Sequence, residues 1–417
     1  MLTASRYDIT HVYLDNPGPL LPPPGQPGQG NYLVFWWKEL ALGHLVIEPG
    51  PTLTAVAYWA ALTAAIQPAV QHYKSQQRSN APEPAPQDQE HWRAWLGALL
   101  VAWLPVPPSQ VPVSVIICTR NRAPQLRRCL QRLHMLPCAP TEIVVVDNAP
   151  TDVSTQQVAM EFAGVIYIHE PRGGLDIARN TGIMAARCPV VAFVDDDVVV
   201  HSLLLYRVWE AFQDPATAAL TGLVLALALQ TEAQVLFEQY WSFNRGYLDR
   251  CYSTAYLQAA PGQAPPVWEI GAGANMAFRK SIFKQVGYFD ERLDVGAAGC
   301  SGDSEMWYRI LAHGHTIRYV PRAIVYHEHR QAMAELQRQL YYYMRGHAAA
   351  ALIQQEQQLQ RGYARHLYLN MPRYYADLLR AGFPFFPRRG RTLWAELTGL
   401  VSGVIFYYRN RTSKPLR

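Results

Sequence analysis

Residues 190–200 read VVAFVDDDVVV. The run is apolar and β-branched except at its centre, where Asp195, Asp196 and Asp197 stand together. A strand this apolar is one buried on both faces, as in a parallel sheet covered by helices. Three carboxylates do not belong inside such a core. They mark the place where the strand ends, in water or beside a cation that offsets their charge.

Working outward, the same pattern recurs. VPVSVIICTRNR (111–122) is a β-branched run stopping at polar residues, TEIVVVDN (141–148) is a second, and VIYIHEP (165–171) a third. Segments of helical character separate them: Leu126, Leu130 and Leu133 recur at helical spacing, STQQVAMEFA (154–163) follows the second strand, and GGLDIARNTGIMAARC (173–188) precedes VVAFVDDD. Strands alternating with helices predict βαβ units and an α/β fold with a Rossmann-like, mostly parallel sheet covered by helices on both faces. Ligands of such sheets bind at the carboxyl ends of the strands. The tips Thr119-Arg120-Asn121-Arg122, Asp147-Asn148 and Asp195-Asp196-Asp197 therefore converge on one rim. Carboxylates there suit a hard divalent cation, Mg²⁺ or Mn²⁺. Arg120, Arg122, Arg172 and Arg179 suit a diphosphate, and Asp147 suits a ribose hydroxyl or a base edge.

PVSVIICTRNR, EIVVVDN, RGGLDIARNTGI and VVAFVDDD, in this order and spacing, resemble family 2 glycosyltransferases of the GT-A fold. WEIGAGANMAFRKSIFKQVGYFDE (268–291) resembles the acceptor-side segment of that family. SGDSEMWYRILAHGHTIRYVPRAIVYHEH (301–329) resembles its catalytic helix and the His-bearing strand after it. The resemblance covers residues 111–330. It implies an inverting, metal-dependent transfer of a sugar from a nucleotide-diphosphate donor, UDP by default, to a hydroxyl of a glycan, a lipid-linked acceptor or a small molecule. Carried over by position, Thr119, Arg120, Asn121, Arg122, Asp147, Arg172, Arg179, Asp195 and Asp196 would hold the donor. Asp197 would ligate Mg²⁺ or Mn²⁺, and His327 or His329 would complete the site, His327 being favoured. Asp303 stands where the family places its general base. Gly273, Asn275 and Glu305 would face the acceptor. The family more often has Glu-Asp where this chain has Gly302-Asp303, which removes one acid from beside the base.

The residue types fit that chemistry. An expelled diphosphate gains negative charge that a metal and arginines stabilise, while a hydroxyl nucleophile needs a carboxylate to take its proton. The other reading of Asp303 is a helix cap. A sugar nucleotidyltransferase would share the sheet and the acids but open with a glycine-rich phosphate loop, and CTRNRAPQL has no glycine. A non-catalytic nucleotide-sugar or glycan-binding module is the remaining alternative.

Outside this core, residues 1–75 read as a small α+β domain. They comprise a Pro/Gly-rich stretch (17–30), two strands around a turn (31–50), and a helix with Val56, Trp59, Leu62, Ile66 and Val70 facing a core. Residues 76–110 read as a Pro-rich linker and a short helix, and residues 331–417 as a helical region. There LTGLVSGVIFYYRNR (397–411), flanked by basic residues, reads either as a packed terminal helix or as a peripheral contact with a membrane surface; it is too short to span one. The net charge of +5 is too weak to imply nucleic acid. Six scattered cysteines without metal spacing, and an N-terminus unlike a signal peptide, suit a cytoplasmic protein, free or at the inner face of a membrane.

Overall fold

The computed structural model describes residues 6–77, 82–84, 88–259, 263–357, 362–383 and 388–411. Of the Pro-rich linker expected within residues 76–110, residues 78–81 and 85–87 lie outside them. The chain opens with β1 (Tyr7–Tyr13), β2 (Gly30–Trp37) and β3 (Leu40–Ile47), followed by α1 (Ala55–Gln76) and α2 (Gln89–Leu100). β2 and β3 form the expected hairpin, with Lys38 at positive φ in its turn. β1 was not foreseen; it pairs parallel to β2. On α1, Trp59, Leu62, Ile66 and Val70 are buried, whereas Val56 is exposed.

The central region runs β4 (Gln110–Thr119), α3 (Ala123–His134), β5 (Ala139–Asn148), α4 (Ser154–Met160), β6 (Val165–Glu170), α5 (Leu175–Ala185) and β7 (Val190–Val194). It continues with β8 (Val198–Val200), α6 (Leu204–Ala211), β9 (Thr217–Ala226), α7 (Glu232–Trp241), β10 (Arg250–Tyr252) and α8 (Thr254–Gln258). β11 (Asn275–Arg279), α9 (Phe283–Val286), α10 (Gly302–Ala312) and β12 (Thr316–His327) close it. These strands make one mixed sheet in the order β10-β12-β9-β11-β7-β4-β5-β6, with β8 paired to β12. β7, β4, β5 and β6 are parallel, as their apolar runs predict. β11 enters antiparallel between β7 and β9, and β12 lies parallel to β9. The ends of β4, β5, β7, β9 and β12 and the start of β11 therefore share one rim.

β4 shows why the run must be apolar throughout. Val113, Val115 and Ile117 pack with Leu126 and Leu130 of α3 on one face, while Ile116 packs with Ala178 and Ile183 of α5 on the other. The GT-A expectation, a sheet with helices on both faces, is met. The N-terminal sheet shares a core with this one: Phe35 and Trp36 cluster with Leu223, Leu225 and Ile324, and the Tyr7 amide donates to the Leu229 carbonyl at 2.7 Å.

Among the described residues, α11 (Met333–Gln357), α12 (Tyr363–Arg365), α13 (Met371–Gly382) and α14 (Gly390–Asn410) follow, with a π-helical stretch (His366–Asn370) between α12 and α13. α14 lies against α11 at two glycines. A β-carbon on Gly399 would come within 2.3 Å of the Tyr341 carbonyl oxygen, and one on Gly403 within 2.3 Å of that of Arg345. Only glycine permits this approach. No helix among the described residues is long and apolar enough to cross a membrane.

Candidate active site

A cavity of about 1240 Å³ opens over the rim, roofed by α11 and the helices after it. Thr119, Arg120, Arg122, Arg179, Asp195, Asp196, Asp197, Gly273, Asp303 and His327 all line it. Among the described residues, four of the five non-glycine residues at positive φ lie in the loops around it: Asn121, Ala149, Asp294 and Ser301. Strained backbone of this kind persists where surrounding structure over-determines it.

The three acids differ in their surroundings. Thr119 Oγ1 donates to Asp196 Oδ2 at 2.7 Å. The Arg122 guanidinium spans Asp196 Oδ1 at 2.6 Å and Asp197 Oδ2 at 3.0 Å. Burial works against ionised Asp197, yet the His327 ring beside it and the charges of Arg122 and Arg330 outweigh that and hold its carboxyl below the usual range. Asp195 has the opposite fate. Burial, and then repulsion from Asp197, push it up to about 7; burial also pushes Asp196 up to about 6.

This donor set fits a divalent cation. Asp197 offers an ionised carboxylate and His327 an imidazole. Among the described residues no three His, Cys, Asp or Glu side chains form a ready metal cage. Magnesium-type sites need none, since one or two protein ligands suffice beside water and substrate phosphates. Between the two candidate histidines, His327 lines the cavity, whereas His329 is buried behind it, its Nε2 at 3.0 Å from Glu238.

Asp303 sits in the first turn of α10, just after Ser301 at φ 77°. Its Oδ2 accepts the Gly273 amide at 2.8 Å and its Oδ1 that of Ser304 at 2.7 Å. These contacts fix the carboxylate at the cavity wall rather than over the end of its helix. Burial and then the charge of Asp294 raise its pKa, against the opposing pull of Arg179. Arg179 is itself held inside a buried cluster, 2.8 Å from Asp176 and 2.6 Å from Asp294. Burial opposes its charge, but these two acids outweigh it and keep the guanidinium protonated.

The geometry explains the departure at position 302. A β-carbon on Gly302 would lie 2.2 Å from Asp176 Oδ2. The space that a side chain at 302 would need is filled by an acid from α5, so the carboxylate count near Asp303 is kept. Asp176 is buried, and its Oδ2 has no hydrogen-bond partner. Desolvation, followed by Asp294, raises its pKa well above the ordinary value.

Other residues expected at the site stand elsewhere. Asn275 is buried and its amide bridges the carbonyls of Leu223 and Ala323 at 3.1 and 2.9 Å; it joins β9 to the bulge of β12 and does not line the cavity. Glu305 is fully buried against Arg309 at 2.7 Å, so it faces no acceptor. Arg172 folds back on Glu170 at 3.1 Å and reaches Glu291 at 3.4 Å, outside the cavity wall. Asn121 is exposed beside it, accepting the Thr151 amide at 3.0 Å. Asp147 is covered, its Oδ2 accepting from Tyr167 at 2.9 Å while Oδ1 stays unpartnered. Asp147 does not line the cavity.

Sequence reasoning missed Asp176, Asp294, Arg330, and the wall made by Trp268, His347 and His366. His347 and His366 meet Nε2 to Nε2 at 3.0 Å, and burial depresses both, His347 to about 3. Asp176 and Arg179 are three residues apart on one helix face, which is the signal that was available for that pair.

Residues 114–287 match the model of Glycosyl transferase family 2. The pre-mycofactocin glycosyltransferase of Mycobacterium tuberculosis is 28% identical over 233 residues, 55% of this chain and 46% of that protein. The uncharacterized glycosyltransferase EpsJ of Bacillus subtilis is 36% identical over 101 residues, 24% of this chain and 29% of that protein. The chain therefore spans less than half the length of either relative. Among solved structures, the mannosyltransferase PcManGT of Pyrobaculum calidifontis, in complex with GDP-Man and Mn²⁺, aligns with a TM-score of 0.46 at 17% identity, over 83% of this chain and 98% of that one. Over residues 114–287, then, this chain is similar to glycosyl transferase family 2.

Proposed function

We propose that the protein transfers a sugar from a nucleotide-diphosphate sugar to an acceptor hydroxyl, with inversion and with a divalent cation. The observation that carries this reading is that Asp197 and Asp303 line one cavity, with the acid cluster at the strand ends and the carboxylate at the start of α10. When bound, the cation would be held by Asp197 and His327 and would neutralise charge developing on the leaving diphosphate. An imidazole in the set favours Mn²⁺ over Mg²⁺. Arg120 is exposed at the rim and, with Arg122, supplies cationic donors to phosphate oxygens. Asp303 accepts the proton of the attacking hydroxyl. Oδ1 accepts both the amide and the hydroxyl of Ser304, but Oδ2 accepts only the Gly273 amide, so a lone pair of Oδ2 remains for the substrate, and the raised pKa brings the carboxyl nearer to working pH. One base opposite the leaving group means a single displacement. The wall formed by Trp268, Tyr342 and His347 lies on the side left for the acceptor.

A peripheral membrane contact belongs to the same reading. Trp394, Val401, Ile405 and Tyr408 are exposed along α14 at spacings that place them on one face, and Arg391, Arg409 and Arg411 flank them. An apolar stripe with basic ends suits an anionic bilayer. Co-sedimentation with phosphatidylglycerol vesicles should fall several-fold for Trp394→Ser/Ile405→Ser; unchanged sedimentation refutes the contact.

The activity is tested by nucleotide release from UDP-, GDP- and dTDP-sugars with Mn²⁺ or Mg²⁺. One donor should turn over and Asp303→Asn should not. Nucleotide binding without turnover of any donor would favour a binding module.

A further inference from the structure

Behind the proposed cation site lies a chain of side chains that the reaction scheme does not use. His327 Nδ1 and His329 Nδ1 are 3.0 Å apart. His329 Nε2 is 3.0 Å from Glu238 Oε2 on α7. Glu238 Oε1 accepts from Ser242 Oγ at 3.0 Å and from the Tyr32 hydroxyl at 3.4 Å, so the chain ends in β2 of the N-terminal sheet. The members are held from several sides. Phe243 meets the His327 ring edge-on at 5.2 Å and Phe237 lies 4.5 Å from the His329 ring. The Leu227 amide donates to the His327 carbonyl at 3.0 Å. Gln234 Nε2, from the capping box of α7, donates to the His329 carbonyl at 3.4 Å.

The hydrogen-bond inventory restricts where the protons are. An ionised carboxylate only accepts, so His329 Nε2 carries a proton. Between the two Nδ1 atoms one ring donates and the other accepts. With both rings neutral, one arrangement satisfies both contacts: His329 Nδ1 is a bare lone pair and His327 donates Nδ1–H, which leaves His327 Nε2 bare. A second proton on His329 would make His327 accept at Nδ1 and force its own proton onto Nε2, and a second proton on His327 would occupy Nε2 directly; either closes that atom to a metal.

We infer that His329 and Glu238 are positioning residues that hold His327 as its Nδ1–H tautomer, so that Nε2 is the lone pair offered to a divalent cation beside Asp197. The inference rests on the cation reading proposed above. Metal-ligating histidines gain their orientation and basicity from such partners on the opposite ring nitrogen. The feature that sets this one apart is its length: a second imidazole stands between ligand and carboxylate, and the carboxylate is shared with Tyr32. The N-terminal sheet thereby acquires a role at a site it does not line.

The test uses the full chain labelled with ¹⁵N-histidine. Long-range ¹H–¹⁵N correlation on the metal-free protein reads the His327 tautomer, and electron paramagnetic resonance of free Mn²⁺ reads affinity. The wild type should show Nδ1–H on His327. His329→Phe, which keeps a ring against Phe237, should weaken Mn²⁺ binding by about 10–100-fold. Glu238→Gln keeps an acceptor of the same shape and should retain the tautomer with a smaller loss. An Nε2–H pattern on His327 in a wild type that binds Mn²⁺ overturns the relay alone, as does His329→Phe binding Mn²⁺ like the wild type. A wild type with the Nδ1–H pattern that binds no Mn²⁺ overturns the cation reading, and with it the positioning role. The wild-type spectrum needs no variant to fold.

Discussion

Asp303→Asn separates the base from the helix cap. The substitution keeps shape and removes one acceptor. In the native site Oδ2 takes the Gly273 amide at 2.8 Å and Oδ1 the Ser304 amide at 2.7 Å. Asparagine has one oxygen, so one of these amides must face an NH₂ group and lose its partner. An unsatisfied buried donor costs about 1–3 kcal/mol, so a modest fall in melting temperature is expected. The catalytic effect is larger. Loss of a positioned general base lowers the rate about 10²–10⁴-fold, or about 2.7–5.5 kcal/mol at about 1.36 kcal/mol per decade. Donor affinity should hold, because the nucleotide end of the cleft is untouched. The assay is nucleotide release at saturating donor and acceptor, beside calorimetric donor binding and a thermal melt. A folded Asp303→Asn with kcat within tenfold of the wild type would refute the assignment and leave only the structural role.

Three further outcomes follow from the same geometry. The proposed base must be ionised to act and burial raises its pKa above that of an ordinary aspartate, so kcat should fall as pH drops through a limb displaced above the ordinary aspartate range; a limb at or below that range contradicts the burial argument. Gly403→Val places atoms against the Arg345 carbonyl and the Ala348 side chain, and overpacking of this kind costs about 1–3 kcal/mol, visible as a lowered melting temperature and faster proteolysis after α11. Glu305→Ala takes the carboxylate partner from the Arg309 guanidinium, which keeps only the Val286 and Tyr288 carbonyls, and should cost about 1–3 kcal/mol; an intact melt with a raised acceptor KM would instead restore Glu305 to the acceptor site.

What could be read from the residues follows from which physical signals are local. The runs of β4, β5 and β7 are legible because a strand buried on both faces must be apolar throughout, and their polar tips are legible because charge cannot continue into that core. β1 escaped because its partner β2 begins 17 residues after it ends, across a Pro/Gly-rich stretch with no hairpin signal, and because its parallel pairing is non-local. The antiparallel entry of β11 escaped for the same reason. Within the site, Arg122 and the acid cluster were legible as polar residues at strand ends, whereas Asp303 was singled out by the resemblance to the family. Asn275 was misread because a small polar residue after glycines resembles a ligand contact, whereas its amide bridges two carbonyls where β12 bulges. Arg179 was read as a cation for diphosphate; it does line the cavity, but Asp176 and Asp294 hold it. No pattern in one dimension announces an acid that arrives from another element.

That last point bears on how the base is set. The loop carrying Asp294 is docked on the start of α5: the Leu175 amide donates to the Val295 carbonyl at 2.8 Å, and Gly296, at φ 96°, lies so close to Gly174 that a β-carbon on it would come within 2.8 Å of the Gly174 backbone. Asp294 and Arg179 act on Asp303 with opposite sign. The proton affinity of the base therefore depends on how α5, a donor-side element beginning at the rim between β6 and β7, holds this loop. A shift that moved Asp294 away from Asp303 while Arg179 stayed would lower the pKa of the base, and one that withdrew Arg179 would raise it. In the proposed reaction, donor binding at the rim and proton acceptance at α10 would thus be connected through one buried arginine and two acids, without any side chain that must touch both substrates.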